Sequence, residues 1–178
     1  MTRRYPIGIQ TFSNIVRENF LYVDKTDLVW QLAHVAKYIF MSRPRRFGKS
    51  LLTSSLESYF KGERELFEGL KIMPLEQEWT EYPVIHLDLS TAKGRDTAEE
   101  LRQSLLFLLG DAQQEYGRDE QEETPGQCLT GIIKRAYEQT GRQVVVLVDE
   151  YDAPLLEVLH ENETLAAKRR VTLPLPFN

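Results

Sequence analysis

A single cysteine, Cys128, stands in a chain of 178 residues, so no internal disulfide can form. Three histidines and that one thiol fall short of any common zinc-ligand spacing, which excludes a zinc module as well. Long apolar runs are also missing. The longest aliphatic stretch is Val144-Val145-Val146-Leu147-Val148, where a membrane-spanning helix takes about 20 residues. The start of the chain (Met1, Thr2, Arg3, Arg4, Tyr5, Pro6) is basic but lacks the run of roughly 7–15 apolar residues that a secretory signal needs. Nor is there an excess of positive charge: 22 Lys plus Arg against 27 Asp plus Glu leave a formal net charge of -5. The chain as a whole is therefore not built to coat nucleic acid or an anionic membrane, and any basic surface must be local. A reducing, cytoplasmic setting and no membrane partner are the expectation.

What remains is the composition of an ordinary globular domain, 42% hydrophobic and 28% charged. Leu28, Leu32, Val35 and Ala36 recur at helical spacing after Thr26 and Asp27, either of which can cap. Tyr38-Ile39-Phe40-Met41 has the content of a buried strand and stops at Ser42-Arg43-Pro44. A helix is expected over 50–61, with Leu51, Leu52, Leu56, Tyr59 and Phe60 on its packed side. Val84-Ile85-His86-Leu87 reads as a strand. Thr97 and Glu100 form a capping box ahead of the stripe Leu101, Leu105, Leu108, Leu109. Residues 111–124, with six acidic side chains against Arg118, read as a solvated helix end and loop without chemistry. Thr124-Pro125 opens another helix, with Leu129, Ile132, Ile133, Ala136 and Tyr137 inward and Gly141 at its end. The run 144–148 is apolar on both faces, as in a central strand covered above and below. His86 and Cys128 lie in apolar patterns and read as core residues. Strands alternating with amphipathic helices predict an α/β fold with a parallel sheet.

Chemistry concentrates at two places. The first is Arg43-Pro44-Arg45-Arg46-Phe47-Gly48-Lys49-Ser50, between an expected strand and an expected helix. Strand, turn, Gly48-Lys49-Ser50, helix is the arrangement of a phosphate-binding loop, in which backbone N–H groups and a helix N-terminus surround an anion. Lys49 would meet the outer phosphates of a nucleotide and Ser50 would offer its hydroxyl to Mg²⁺. The first glycine of the usual G-x-x-x-x-G-K-[ST] spacing is replaced by Arg43. From Leu28 to Leu56 there are five basic residues (Lys37, Arg43, Arg45, Arg46, Lys49) and no acidic one. An anion site is the economical reading, and a solvated basic loop is its alternative. Arg45 and Arg46 can equally meet phosphates, a nucleic-acid backbone or water.

The second place is Asp149-Glu150, at the end of the run 144–148. An aspartate at the carboxyl edge of a sheet can hold the Mg²⁺ shell, and the glutamate after it can orient or deprotonate the attacking water. The plain alternative is a strand that ends in polar residues ahead of a helix begun by Asp152 and Pro154. Asp88 also ends a strand, where it either lines the nucleotide site or caps.

Five stretches together carry a resemblance. They are Pro6-Ile7-Gly8-Ile9-Gln10, Tyr22-Val23-Asp24-Lys25-Thr26, the Ser42 to Ser50 loop, Pro83-Val84-Ile85-His86-Leu87-Asp88 and Val146-Leu147-Val148-Asp149-Glu150-Tyr151-Asp152. They resemble the AAA-ATPase-like domain of bacterial and archaeal ATP-binding proteins, whose own phosphate loop has the R-P-R-R-F-G-K-S form. The resemblance implies a P-loop NTPase fold of the AAA/STAND kind over residues 1–160 and an irregular tail over 161–178. It implies ATP and Mg²⁺ as ligands, with Arg43, Pro44, Arg45, Arg46, Phe47, Gly48, Lys49 and Ser50 around the nucleotide. Ser50 and Asp149 would serve the metal, and Lys49 and Glu150 catalysis. Members usually continue into a C-terminal PD-(D/E)XK nuclease-like domain. The strand that should follow Asp149-Glu150 and bring a polar sensor residue has no candidate, because Pro174 and Pro176 bar residues 171–178 from a central sheet position. The expectation is thus a C-terminally truncated module, impaired in hydrolysis, whose oligomeric partner the resemblance leaves open. The alternative is a non-catalytic module that binds nucleic acid or protein through Arg43, Arg45 and Arg46.

Overall fold

The computed structural model describes residues 3–42, 47–92 and 97–151. Arg43, Pro44, Arg45 and Arg46, the Asp152 and Pro154 helix start, and the proline-containing 171–178 segment lie outside the described residues. The chain divides into two compact units, one running to Val84 and the other beginning at Ile85.

The first unit is built on three helices, α1 (Phe12–Arg17), α2 (Thr26–Val35) and α3 (Lys49–Phe60), followed by a 3₁₀ turn over Arg64–Phe67. Phe12, Val29, Tyr59, Leu66, Phe67 and Ile72 form its buried core. The Phe12 ring lies 4.8 Å from that of Phe67, and Phe67 lies 5.1 Å from Trp79. Such aromatic pairs add a geometric preference to the burial of large apolar area.

In α2 the expected stripe faces the wrong way. Leu28 is 43% and Val35 75% exposed, whereas Thr26 and Val29 are buried and Trp30 and Ala33 pack on the core. The reason is a hydrogen-bonded threonine. Asp24 accepts from the Thr26 N–H (2.9 Å), the Thr26 hydroxyl (2.7 Å) and the Lys71 N–H (2.8 Å), and Thr26 Oγ1 accepts from the Ile72 N–H (3.1 Å). That clasp turns Thr26 inward, and positions i+3, i+4 and i+7 follow it.

Tyr38-Ile39-Phe40-Met41 forms no strand, and its Tyr38 and Phe40 are exposed. Strand preference expresses the fit to a pleated neighbour. Among the described residues the two named strands pair only with each other. In α3 the leucines expected inward are half-buried, and the buried positions are Ser54, Ser55, Ser58 and Tyr59.

The second unit holds a two-stranded parallel sheet, β1 (Val84–Asp88) and β2 (Val145–Asp149), joined by three helices. These are α4 (Ala98–Leu108), α5 (Gly110–Tyr116) and α6 (Pro125–Thr140). Parallel neighbours need such a long crossover, since no tight turn can connect them. Ile85 and Leu87 of β1 pack with Leu109, Tyr116, Cys128, Ile132 and Ala136. The expected Thr97–Glu100 capping box forms, α6 opens at Pro125 as expected with a further capping box between Thr124 and Gln127, and Gly141 closes α6 in the left-handed conformation. Two expectations fail here. β2 is half-buried with Val148 45% exposed, because it has β1 alone beside it among the described residues, and Tyr137 points to solvent. The acidic 111–124 segment is only partly a solvated loop: it contains α5, and its Glu122 is clamped by Arg135 at 2.6 and 3.1 Å.

Candidate functional site

The glycine before Lys49 sets the start of α3. Gly48 holds φ 73° and ψ 28° at the N-cap position, a left-handed conformation that residues with a Cβ avoid. It is followed at once by Lys49 and Ser50 in the first helical turn. Both are half-buried. α4 and α6 spend threonine and Glu or Gln side chains on their first N–H groups. α3 has no such side chain among the described residues and no acidic residue in its first turn. A helix start of this kind keeps unsatisfied N–H groups and partial positive charge for an anion. Phe47, just ahead, is 64% exposed.

Behind this turn α3 is held by its serines. Ser54 Oγ accepts from the Phe12 N–H at 2.9 Å and lies 3.2 Å from the Gln10 carbonyl oxygen, to which it donates. Ser55 donates to the Leu51 carbonyl at 2.8 Å. Small hydroxyl residues let α1 approach closely while the Ser54 and Ser55 hydroxyls keep hydrogen-bond partners. An apolar pattern search passes over such a face, and the only signal was the Ser-Ser-x-x-Ser spacing itself.

In the second unit β1 and β2 are parallel neighbours that both end in aspartate, so Asp88 and Asp149 lie on the same, carboxyl edge of the sheet. That edge is where open α/β sheets bind ligands. Asp88 is exposed and its Oδ1 takes the Ser90 N–H at 2.9 Å, which is the capping role. Asp149 differs. It is 7% exposed, no Lys or Arg among the described residues pairs with it, and Oδ1 accepts one bond, from the Glu150 N–H at 2.9 Å. A carboxylate so buried needs opposing charge. A divalent cation fits that requirement, and the oxygen donor set suits Mg²⁺. Among the described residues no three His, Cys, Asp or Glu gather to hold a metal; Mg²⁺ at a nucleotide site draws mainly on one or two protein ligands, phosphates and water. The Glu150 carboxylate makes no hydrogen bond or ion pair among the described residues.

Other reactive groups are spent on structure. Asp24 is the clasp of α2. Desolvation raises its pKa, but the Thr26 and Lys71 hydrogen bonds outweigh that and hold it below the usual carboxylate value. Burial, and then Glu122, push the Cys128 thiol up, so it stays protonated and is no nucleophile. A cleft of about 880 Å³ beside α4 is lined by Arg102, Phe107, Arg118 and Glu120, among others, and includes none of the expected site residues. Among the described residues no helix is long and apolar enough to cross a membrane.

A protein of Azotobacter chroococcum mcd 1, described as an uncharacterized protein in the vnfD 5' region, is 37% identical over 163 residues. The match covers 90% of this chain and 31% of the relative, so the chain spans about a third of that protein's length. No solved structure matches. The family model described as predicted AAA-ATPase matches residues 6–173. The chain, with its glycine-led α3 and its aspartate-tipped sheet edge, therefore belongs to the predicted AAA-ATPase family, a membership that implies ATP binding.

Proposed function

We propose that the chain is the ATP-binding P-loop module of a Mg²⁺-dependent NTPase. The start of α3 carries the reading: a left-handed Gly48, then Lys49 and Ser50, on a helix with no side-chain cap among the described residues. Its N–H groups would receive phosphate oxygens, and the Lys49 ammonium would neutralise the outer phosphates. Ser50 Oγ and the buried Asp149 carboxylate would hold Mg²⁺, which supplies charge neutralisation on the phosphate oxygens when bound. Glu150 would orient the attacking water and accept its proton. Arg43, Arg45 and Arg46 would add positive charge around the phosphates. A nuclease-like continuation, where a longer protein carries one, would be served by this module.

Thermal unfolding with and without excess Mg-ATP tests the proposal. At about 100 times the dissociation constant a ligand adds roughly 2.7 kcal/mol, which for this size is a rise of about 5–11 °C. Lys49→Ala is expected to abolish the rise and leave the melting temperature of the ligand-free protein unchanged. An equal rise in Lys49→Ala would refute the assignment.

A further inference from the structure

A nucleoside triphosphate brings two different surfaces to its site, a charged phosphate chain and a flat base. The α3 N–H groups, Lys49 and Ser50 suit only the first. Beside them stands an aromatic ring. Phe47 is 64% exposed, and among the described residues it joins neither buried cluster and enters no ring pair. Core packing is therefore not what the ring does, and its exposure forgoes the stabilisation that covering apolar area would bring. Its place along the chain is fixed by its neighbours. Phe47 immediately precedes Gly48, whose left-handed backbone (φ 73°) makes the N-cap turn of α3. Two residues span at most about 7 Å of chain, so the ring hangs within one nucleotide's length of the Lys49 backbone. Between Met41 and Ser58 no other aromatic residue occurs. The space beside the turn is open, since a Cβ placed on Gly48 would meet no atom within 4 Å among the described residues.

We propose that Phe47 is the base platform of the nucleotide site, its ring stacking on the face of a purine while the start of α3 holds the phosphates. The inference rests on the nucleotide reading above and names its ligand class. Stacking uses the flat face that adenine and guanine share, whereas the donors and acceptors that tell them apart lie on the base edges. The class is therefore the purine nucleoside triphosphates, with Phe47 adding affinity but no choice between ATP and GTP.

Calorimetric titration with Mg-ATP, Mg-GTP and Mg-tripolyphosphate separates the base from the phosphates, because tripolyphosphate carries the same phosphate chain and no base. In Phe47→Ala the dissociation constants for ATP and GTP should both rise about tenfold, the scale of one lost base stack, while that for tripolyphosphate stays within about twofold. Phe47→Trp should bind both nucleotides at least as tightly as wild type. Phe47→Leu, which keeps apolar bulk without the ring, should lose most of what the alanine variant loses. Equal losses for tripolyphosphate and the nucleotides would make Phe47 part of the phosphate turn and overturn this inference. So would unchanged ATP binding in Phe47→Ala, a loss confined to one purine, or a Phe47→Leu variant as tight as wild type. Each of those results leaves the phosphate site standing. A wild type that binds neither ATP nor tripolyphosphate would overturn the nucleotide reading and this inference with it.

Discussion

At the level of single residues, polar side chains buried in small clasps do as much positioning as the apolar core. Asp24 is the clearest case. Its folded pKa lies below the usual value, so it binds its proton less readily than in the unfolded chain. The stability it contributes is present above about pH 4, the unfolded carboxylate range, and is lost as pH falls through the folded value. Urea unfolding from pH 6 to pH 2 should therefore show a loss on acidification that is smaller in Asp24→Asn. At pH 7 Asp24→Ala should lower stability by about 1–3 kcal/mol, since the Thr26 and Lys71 donors lose their acceptor. Gly131 makes a second case. A Cβ there would fall 1.6 Å from Glu122 Oε1, so Gly131→Ala must expel the carboxylate from Arg135. Alanine in a helix normally stabilises by about 1 kcal/mol over glycine, but here the broken ion pair should reverse the sign. In a Glu122→Ala background the same change should stabilise, a difference that a double-mutant cycle in urea reads directly.

At the level of elements, helix starts separate structure from chemistry. Thr97 and Thr124 satisfy their helices with capping boxes, and Thr124→Ala should cost about 1 kcal/mol in chemical denaturation. That substitution should leave any response to Mg-ATP intact, in contrast to Lys49→Ala at the start of α3. The Thr97 capping box, the Pro125 opening and the Gly141 stop were legible because they depend on neighbours in sequence. So were β1 and the Asp149-Glu150 ending of β2. The inward faces of α2 and α3 were not, because Thr26, Ser54 and Ser55 are buried by hydrogen bonds to residues 10, 12, 51 and 72 that no periodicity search weighs. The segment Tyr38-Ile39-Phe40-Met41 misleads for the converse reason: its composition suits a strand, but among the described residues it belongs to neither named strand. Of the site, Gly48, Lys49, Ser50, Asp149 and Glu150 were readable as types at a spacing. The burial of Asp149 is a consequence of tertiary structure.

At the level of the whole molecule, net charge separates the two functional readings. A chain at -5 repels polyanions on average, so at about 0.15 M salt, where the Debye length is about 8 Å, single-stranded oligonucleotides should show no saturable binding in fluorescence anisotropy. Binding that is strongly salt-dependent and indifferent to Mg-ATP would instead support the interaction module. Each unit has its own buried cluster, one around Phe12 and Phe67, the other around Ile85 and Ile132. The Phe12 amide, buried and bonded to Ser54 on the helix that begins at Lys49, gives the first of these a built-in observable. Its proton can exchange with solvent only when α1 and α3 part, so its deuterium uptake times the loosening of the helix that carries the phosphate loop. A ligand seated at the start of α3 would slow the exchange of an amide that it never touches.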